Sequence, residues 1–218
     1  MTDPMDDPMT NPATGPSNGP AIRKATTADL PALERALGRA FHDDPVWRYV
    51  IRHHDRFPER VAGLVGIITR IHLEDDDSVW MTADGQAAAV WAPPKRWSVP
   101  PQRFVRFTGR ALRSVGLRSV PGLGVLARME KRHPKDPPHW YLAVLGTDPD
   151  AQGQGLGSAV LQPVLERCDR EVIHAYLESS KESNVPFYER HGFRVVERVE
   201  LGRGCPPIFT MMREPQPV

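Results

Sequence analysis

The sequence has 218 residues and a formal net charge of +1, a size that fits one compact domain plus a tail and a balance that names no charged partner. Apolar residues make up 40% and charged residues 25%, the ordinary mix of a soluble globular protein, and no apolar run approaches the length of a membrane span. A membrane protein is thereby excluded, and with no apolar signal core at the N-terminus the expected location is cytoplasmic.

Met1–Pro20 holds Asp, Pro, Asn, Gly, Ser and Thr with no Lys or Arg, so it is expected to form a disordered acidic tail ahead of a domain spanning 21–213. Ala21–Ala25 reads as a short first strand. Thr26-Thr27-Ala28-Asp29 offers a helix cap, and Leu30, Leu33, Leu37, Ala40 and Phe41 follow at helical spacing. His42-Asp43-Asp44-Pro45-Val46-Trp47 breaks that helix. Two readings of this loop stand side by side. Its carboxylates and aromatics, with Tyr49 just after, suit a pocket for a cationic amine, or Asp44 simply caps the next helical turn. The His53-His54 pair has no companion ligands and reads as surface. Arg60–Leu73 is apolar at Val61, Leu64, Val65, Ile68 and Leu73, a packed helix. Ser78–Ala83 and Gln86–Ala92 flank Asp84-Gly85, the signature of a hairpin with a two-residue turn, which supplies strands two and three.

Lys95–Lys135 carries Lys95, Arg96, Arg103, Arg106, Arg110, Arg113, Arg118, Arg128, Lys131, Arg132 and Lys135 against one acid, Glu130. Phe104, Phe107, Ala111, Leu112 and Val115 repeat at helical spacing, so part of it is an amphipathic helix with a basic flank. A solvated face, an attractor for an anionic partner and a membrane-surface helix are the three readings.

His139–Thr147 is an apolar, aromatic and β-branched run stopped by Asp148-Pro149, a buried strand. Gln152-Gly153-Gln154-Gly155-Leu156-Gly157-Ser158 follows and passes directly into a segment of helical spacing. Strand, glycine-rich turn and helix start together make an anion site: glycines let a ligand approach the backbone, and the helix N-terminus adds positive potential. A phosphate-bearing ligand is therefore expected, with a plain tight turn as the alternative. No lysine precedes Ser158, which argues against a nucleotide-binding Walker loop. Gly153, Gly155 and Ser158 only half fit the dinucleotide fingerprint, and they lie late in the chain. Ala175–Ser180 reads as another strand, and Asn184–Phe193 as a short helix closed by Gly192. Val195–Leu201 and Pro207–Met212 are the last two strands, around the turn Gly202–Pro206. Cys168 and Cys205, the two cysteines, have no metal-ligand spacing and read as buried or incidental thiols of a reducing compartment; no metal is expected.

Gln-x-x-Gly-x-Gly at Gln152–Gly157, followed by Asn-x-Pro-Phe-Tyr-Glu-x-x-Gly-Phe at Asn184–Phe193, resembles the GNAT acyl-CoA N-acyltransferases. Ala40-Phe41 with Asp44-Pro45, Val79-Trp80, Ala89-Val90-Trp91 and His133-Pro134-Lys135 add a likeness to the puromycin N-acetyltransferase branch over about residues 21–213. The resemblance implies an α/β (α+β) fold: a central mixed, mostly antiparallel sheet of about seven strands, splayed between strands 4 and 5 and flanked by helices. It implies acetyl transfer from acetyl-CoA to a primary amine of a small molecule, antibiotic-like or an aminonucleoside. The alternatives are acetylation of a peptide or protein amine and a non-catalytic acetyl-CoA-binding or basic interaction module. Nucleic acid and membrane are not the expected partners, and homodimerisation stays open.

The roles implied are as follows. Backbone amides of Gly153–Ser158, with Gln152 beside them, hold the diphosphate of the coenzyme. Leu145, Gly146 and Thr147 pair with its pantetheine arm as an added strand. Asn184, four residues before Tyr188 rather than the family's usual seven, binds the arm or fixes the turn. Tyr188 is the general acid for the departing thiolate. Glu178, at the end of its strand, is the candidate base through a water, with Asp44 and His139 in reserve; a base-free route needs only an amine whose pKa is depressed by an apolar pocket. Asp44, Trp47 and Tyr49 form the acceptor side.

Overall fold

The computed structural model describes residues 19–51, 55–74, 77–98, 105, 107–115, 120–202 and 204–217. Met1–Asn18 of the expected tail, the His53-His54 pair and the basic positions Arg103, Arg106 and Arg118 lie outside the described residues.

Strands β1 (Ile22–Lys24), β2 (Val79–Thr82), β3 (Ala87–Ala92), β4 (His139–Thr147), β5 (His174–Ser179), β6 (Arg194–Val199) and β7 (Ile208–Arg213) form one sheet in the order β1-β2-β3-β4-β5-β7-β6. Neighbours run antiparallel except β4 and β5, which are parallel. That is the mixed, mostly antiparallel sheet expected from the sequence. Helices α1 (Leu30–Ala40), α2 (Pro45–Val50), α3 (Phe57–His72), α4 (Thr108–Val115), α5 (Val120–Arg132), α6 (Leu156–Glu171) and α7 (Val185–Glu189) flank it.

Helix α1 starts where Thr26 and Asp29 cap the chain: the Thr26 amide donates to the Asp29 carboxylate at 2.8 Å. Its buried Leu33 and Leu37 lie on one face and pack with Val61 and Val65 of α3 against one side of the sheet. Val160, Leu161, Val164 and Leu165 of α6 pack against the other side. Between the two layers β3 is Ala87-Ala88-Ala89-Val90-Trp91-Ala92, every residue buried. Small side chains there let helices approach the central strand from both faces.

The β2–β3 turn differs from expectation by one residue. The Gly85 amide donates to the Thr82 carbonyl, and Gly85 takes φ +76° while Asp84 stays out of the left-handed region. The Thr82 hydroxyl accepts from the amides of Gln86 and Ala87, so a side chain completes the hydrogen bonding that a primed Asp-Gly turn would have supplied.

Two features of β4 shape the site. Val90 pairs with Val144 but Trp91 pairs with Leu142, so Ala143 is one residue extra, a bulge. The parallel pairing with β5 ends at the same place, with Leu142 opposite Leu177. Beyond it, Ala143–Thr147 and the end of β5 part, and the bulge bends β4 away. This is the splay expected between strands 4 and 5. On the paired halves, side chains alternate. Trp140, Leu142, Ala175 and Leu177 join the apolar layer under α6, which leaves His139, Tyr141, Tyr176 and Glu178 on the opposite face.

Of the basic segment, α4 and α5 are described. Arg110 pairs with Glu34 and the exposed Arg132 with Glu197, so these cations sit in intrachain pairs on the outer surface.

Candidate active site

The gap between β4 and β5 opens into a cavity of about 810 Å³. One end is the bend after β4. Gly153 and Gly155 take φ +79° and +77°, which glycine alone adopts freely, and a Cβ at either would meet nothing within 4 Å. Helix α6 begins there with no side-chain cap. Its first helical bond runs from the Ala159 amide to the Gly155 carbonyl at 3.0 Å, so the amides of Leu156, Gly157 and Ser158 have no intrahelical acceptor. At Gly157 a Cβ would meet Phe187 at an ordinary 3.5 Å, so the chain's own packing does not demand glycine there. Gly146 is different: a Cβ would approach Leu37 to 2.7 Å, so its smallness lets α1 pack on β4.

The opposite end is a polar cluster. The side chain of Glu178 is only 5% exposed. It accepts hydrogen bonds from the Tyr141 hydroxyl at 2.7 Å and the Tyr176 hydroxyl at 3.2 Å, and its Oε1 stands 3.6 Å from His133 Nδ1. Burial, then the Glu178 charge, raises the pKa of both tyrosines, so they stay protonated and remain donors. His133 is stacked on Trp97 at 4.0 Å and its Nε2 lies 2.9 Å from His139 Nε2. His139 Nδ1 is 2.7 Å from the Pro137 carbonyl. Burial lowers the pKa of His139.

Tyr188 stands between these ends, 8% exposed, its ring edge-on to Phe187 and Phe193. Burial, then the charge of Asp44, raises its pKa, so the hydroxyl keeps its proton through the neutral range. Asp44 is 3% exposed. One of its oxygens accepts from the Trp47 amide at 2.8 Å and the other from the Ser180 hydroxyl. It therefore caps α2 and forms part of the cavity wall at once, and burial raises its pKa.

Of the expected site residues, Leu145, Gly146, Thr147, Gln152, Gly153, Gly155, Leu156, Gly157, Ser158, Asn184, Glu178, Tyr188, Asp44 and Trp47 all line this one cavity. Gln154 does not; it is exposed on the outside of the bend. Tyr49 does not either. Residues two apart on a helix point about 200° apart, so Trp47 reaches the cavity while Tyr49, half-buried at the edge of the same apolar cluster, faces away from it. His139 also lies off the cavity, behind His133. The sequence reading passed over His133, Tyr141, Tyr176, Trp97 and Ser180. A signal for two of them was present: Tyr141 two residues after His139, and Tyr176 two before Glu178, place polar groups at period two inside otherwise apolar strands.

A model of the acetyltransferase (GNAT) domain matches residues 123–213. An uncharacterized N-acetyltransferase of Schizosaccharomyces pombe is 36% identical over 210 residues, covering 90% of this chain and 84% of its own. This chain belongs to the GNAT acetyltransferase family. As a GNAT acetyltransferase it is an enzyme of a family whose acyl donor is acetyl-CoA. The fold agrees. A Corynebacterium glutamicum structure described as histone acetyltransferase HPA2 and related acetyltransferase superposes with a TM-score of 0.65 at 22% identity, covering 91% of this chain and 97% of that one. Arylalkylamine N-acetyltransferase 2 of Aedes aegypti superposes with a TM-score of 0.60 at 13% identity, covering 90% and 99%. Among the described residues no helix is long and apolar enough to cross a membrane, and no group of His, Cys, Asp and Glu is arranged to hold a metal ion.

Proposed function

We propose that this GNAT enzyme acetylates the primary amine of a small, largely apolar molecule, with Glu178 as base and Tyr188 as acid. The observation that carries the reading is the continuity of one cavity from the glycine bend to Glu178, with Tyr188 in its wall between them.

The open bend fits a diphosphate: Gly153 and Gly155 are unfilled, and the first amides of α6 have no intrahelical acceptor. Gln152 reaches the Thr147 carbonyl at 3.3 Å and holds the bend against β4. Leu145–Thr147 lies beyond the last pairing with β5, so its edge facing the splay is available to an extended arm. Acetyl-CoA bound there would supply an activated acyl carbon. Glu178, through a water, takes the proton that the amine nitrogen releases as it bonds to that carbon. Tyr188 gives its proton to sulfur as the carbon–sulfur bond breaks, and regains one from solvent.

The acceptor end sets the substrate class. Phe41, Trp47, Ile68, Trp97 and Met129 line it, with the carboxylates of Glu130 and Glu178. Aromatic faces and carboxylates suit a cation on an apolar body. The Aedes neighbour's arylalkylamine substrates have that chemistry. The apolar, aromatic lining favours such an amine over a peptide or protein amine, the alternative that the assay below separates.

The test is thiol release from acetyl-CoA with a panel of amines: phenylalkylamines, an aminonucleoside such as puromycin, agmatine, and a lysine peptide. Apolar amines are expected to have the highest kcat/KM. Preference for the peptide, or no turnover on any amine, would overturn the reading.

A further inference from the structure

We infer that Glu178 does not work alone: His133 and Glu178 form a base that shares one proton position, and His139 holds His133 in the tautomer that keeps that position vacant. The inference rests on the reading of Glu178 as the base and extends it to His133, known until now only from a family likeness, and to His139, a reserve base.

Hydrogen-bond roles can be assigned outward from a fixed point. The Pro137 carbonyl only accepts, so His139 Nδ1 donates to it. Burial keeps His139 neutral, which leaves its Nε2 as an acceptor. His133 Nε2, 2.9 Å away, must then donate. A neutral His133 so oriented turns a bare Nδ1 toward Glu178 Oε1, where the separation is 3.6 Å. Two lone pairs face each other there, and the gap is longer than a hydrogen bond.

Every other neighbour of the carboxylate already donates: Tyr141 and Tyr176 bond its oxygens, and Tyr141 and Tyr176 also meet the His133 ring edge-on at 4.7 and 4.8 Å. Trp97 covers the remaining face of His133. The charged and titratable groups around the pair are thus His139 and Tyr141 on β4, Tyr176 on β5, His174 near His139, Glu197 toward Tyr176, and Glu130, which lines the same cavity. The network has one vacant proton site, between Nδ1 and Oε1, in a wall where His133 is 2% exposed.

A proton taken from the amine nitrogen by Glu178 would settle there as an imidazolium–carboxylate pair, and leave by the same carboxylate to solvent when product departs. No oxidant, reductant or further reactant is involved. His133 acts through Glu178 and does not touch the acceptor's nitrogen. A purely structural His133 would need only its ring on Trp97, so a ring without nitrogens separates the two roles.

Two experiments test this. Long-range proton–nitrogen NMR of histidine-labelled protein should show His139 protonated at Nδ1 and His133 at Nε2 near pH 8. In Glu178→Gln the His133 Nδ1 resonance, which faces that carboxylate at 3.6 Å, should shift while that of His139 Nδ1 stays in place. An Nδ1–H tautomer at His133, or a His133 Nδ1 resonance unmoved by Glu178→Gln, would overturn the inference whether or not an acceptor amine has been found. In turnover, His133→Phe should lower kcat at least tenfold and move the acidic limb of the pH profile, with KM for acetyl-CoA unchanged. Wild-type kcat and an unmoved limb in His133→Phe would also overturn it. Absence of thiol release from the wild type on every amine is the separate signature of failure of the proposed function.

Discussion

Tyr188→Phe isolates the acid step. The change removes one oxygen and keeps the ring between Phe187 and Phe193, with centroid separations of 5.2 and 6.1 Å. Volume-conserving swaps of this kind cost less than about 1.5 kcal/mol, so the melting temperature should move by only a few degrees. The chemistry should suffer more. A positioned general acid is worth about 100- to 10,000-fold. The leaving group here is a thiolate, with an unperturbed thiol pKa of about 8.5, so it needs less help than an alkoxide and the low end applies. A loss of about 100-fold in kcat, roughly 2.7 kcal/mol of barrier, is expected. Steady-state thiol release measures it, and calorimetric titration with acetyl-CoA should find binding unchanged. Because burial and Asp44 raise the Tyr188 pKa, the wild type should show no alkaline decline from this group below its ordinary value of about 10. A variant that keeps more than a third of wild-type kcat on a good acceptor would refute the acid role.

Trp47→Ala should raise the amine KM severalfold while Tyr49→Ala, whose half-buried ring does not line the cavity, should leave it unchanged; equal effects on KM would contradict the placement of the two faces of α2. Gly146→Ala forces a Cβ to 2.7 Å from Leu37 and 3.0 Å from the Ala40 Cβ, so a destabilisation of about 1–3 kcal/mol by denaturant titration is expected. Asp169 takes two hydrogen bonds from Arg213, at 2.7 and 2.8 Å, and the guanidinium holds its pKa below the ordinary carboxylate value. A carboxylate with a lowered folded-state pKa contributes stability above its unfolded pKa, about 3.9, and loses it as pH falls through the folded value. Asp169→Asn should therefore cost about 1–3 kcal/mol at pH 7 and flatten the loss of stability below pH 4. Cys168 is fully buried with its thiol pushed up to about 12, so native protein should add almost no background to a thiol-release assay at pH 8 until it is unfolded.

The sheet was legible because its signals are local. The apolar run of β4, the glycine bend and the Gly192 stop all act within a few residues, and the motif pair implied the splay between strands 4 and 5. The bulge at Ala143 left no mark in the sequence, since it depends on register with β3. The site divides along the same line. Residues contiguous with the motifs line the cavity, because the bend and α7 carry them there. Trp47 and Tyr49, two apart on α2, point to different sides, and of the two Trp47 lines the cavity. Asp44 caps α2 with one oxygen, as one of its two readings had it, while the other oxygen accepts from the Ser180 hydroxyl in the cavity wall. His133 was hidden for a different reason: it approaches Glu178 from the chain after α5, and only the tertiary fold brings the two within 3.6 Å.

The central claim is that backbone amides of the bend after β4 grip a diphosphate and direct a thioester toward the Glu178 end of the cavity. A crystal structure with coenzyme A bound measures this directly. The account predicts phosphate oxygens at about 3 Å from amides between Gly153 and Ser158, with the thiol reaching the gap beside Tyr188. A coenzyme bound elsewhere, with the bend left vacant, would contradict it.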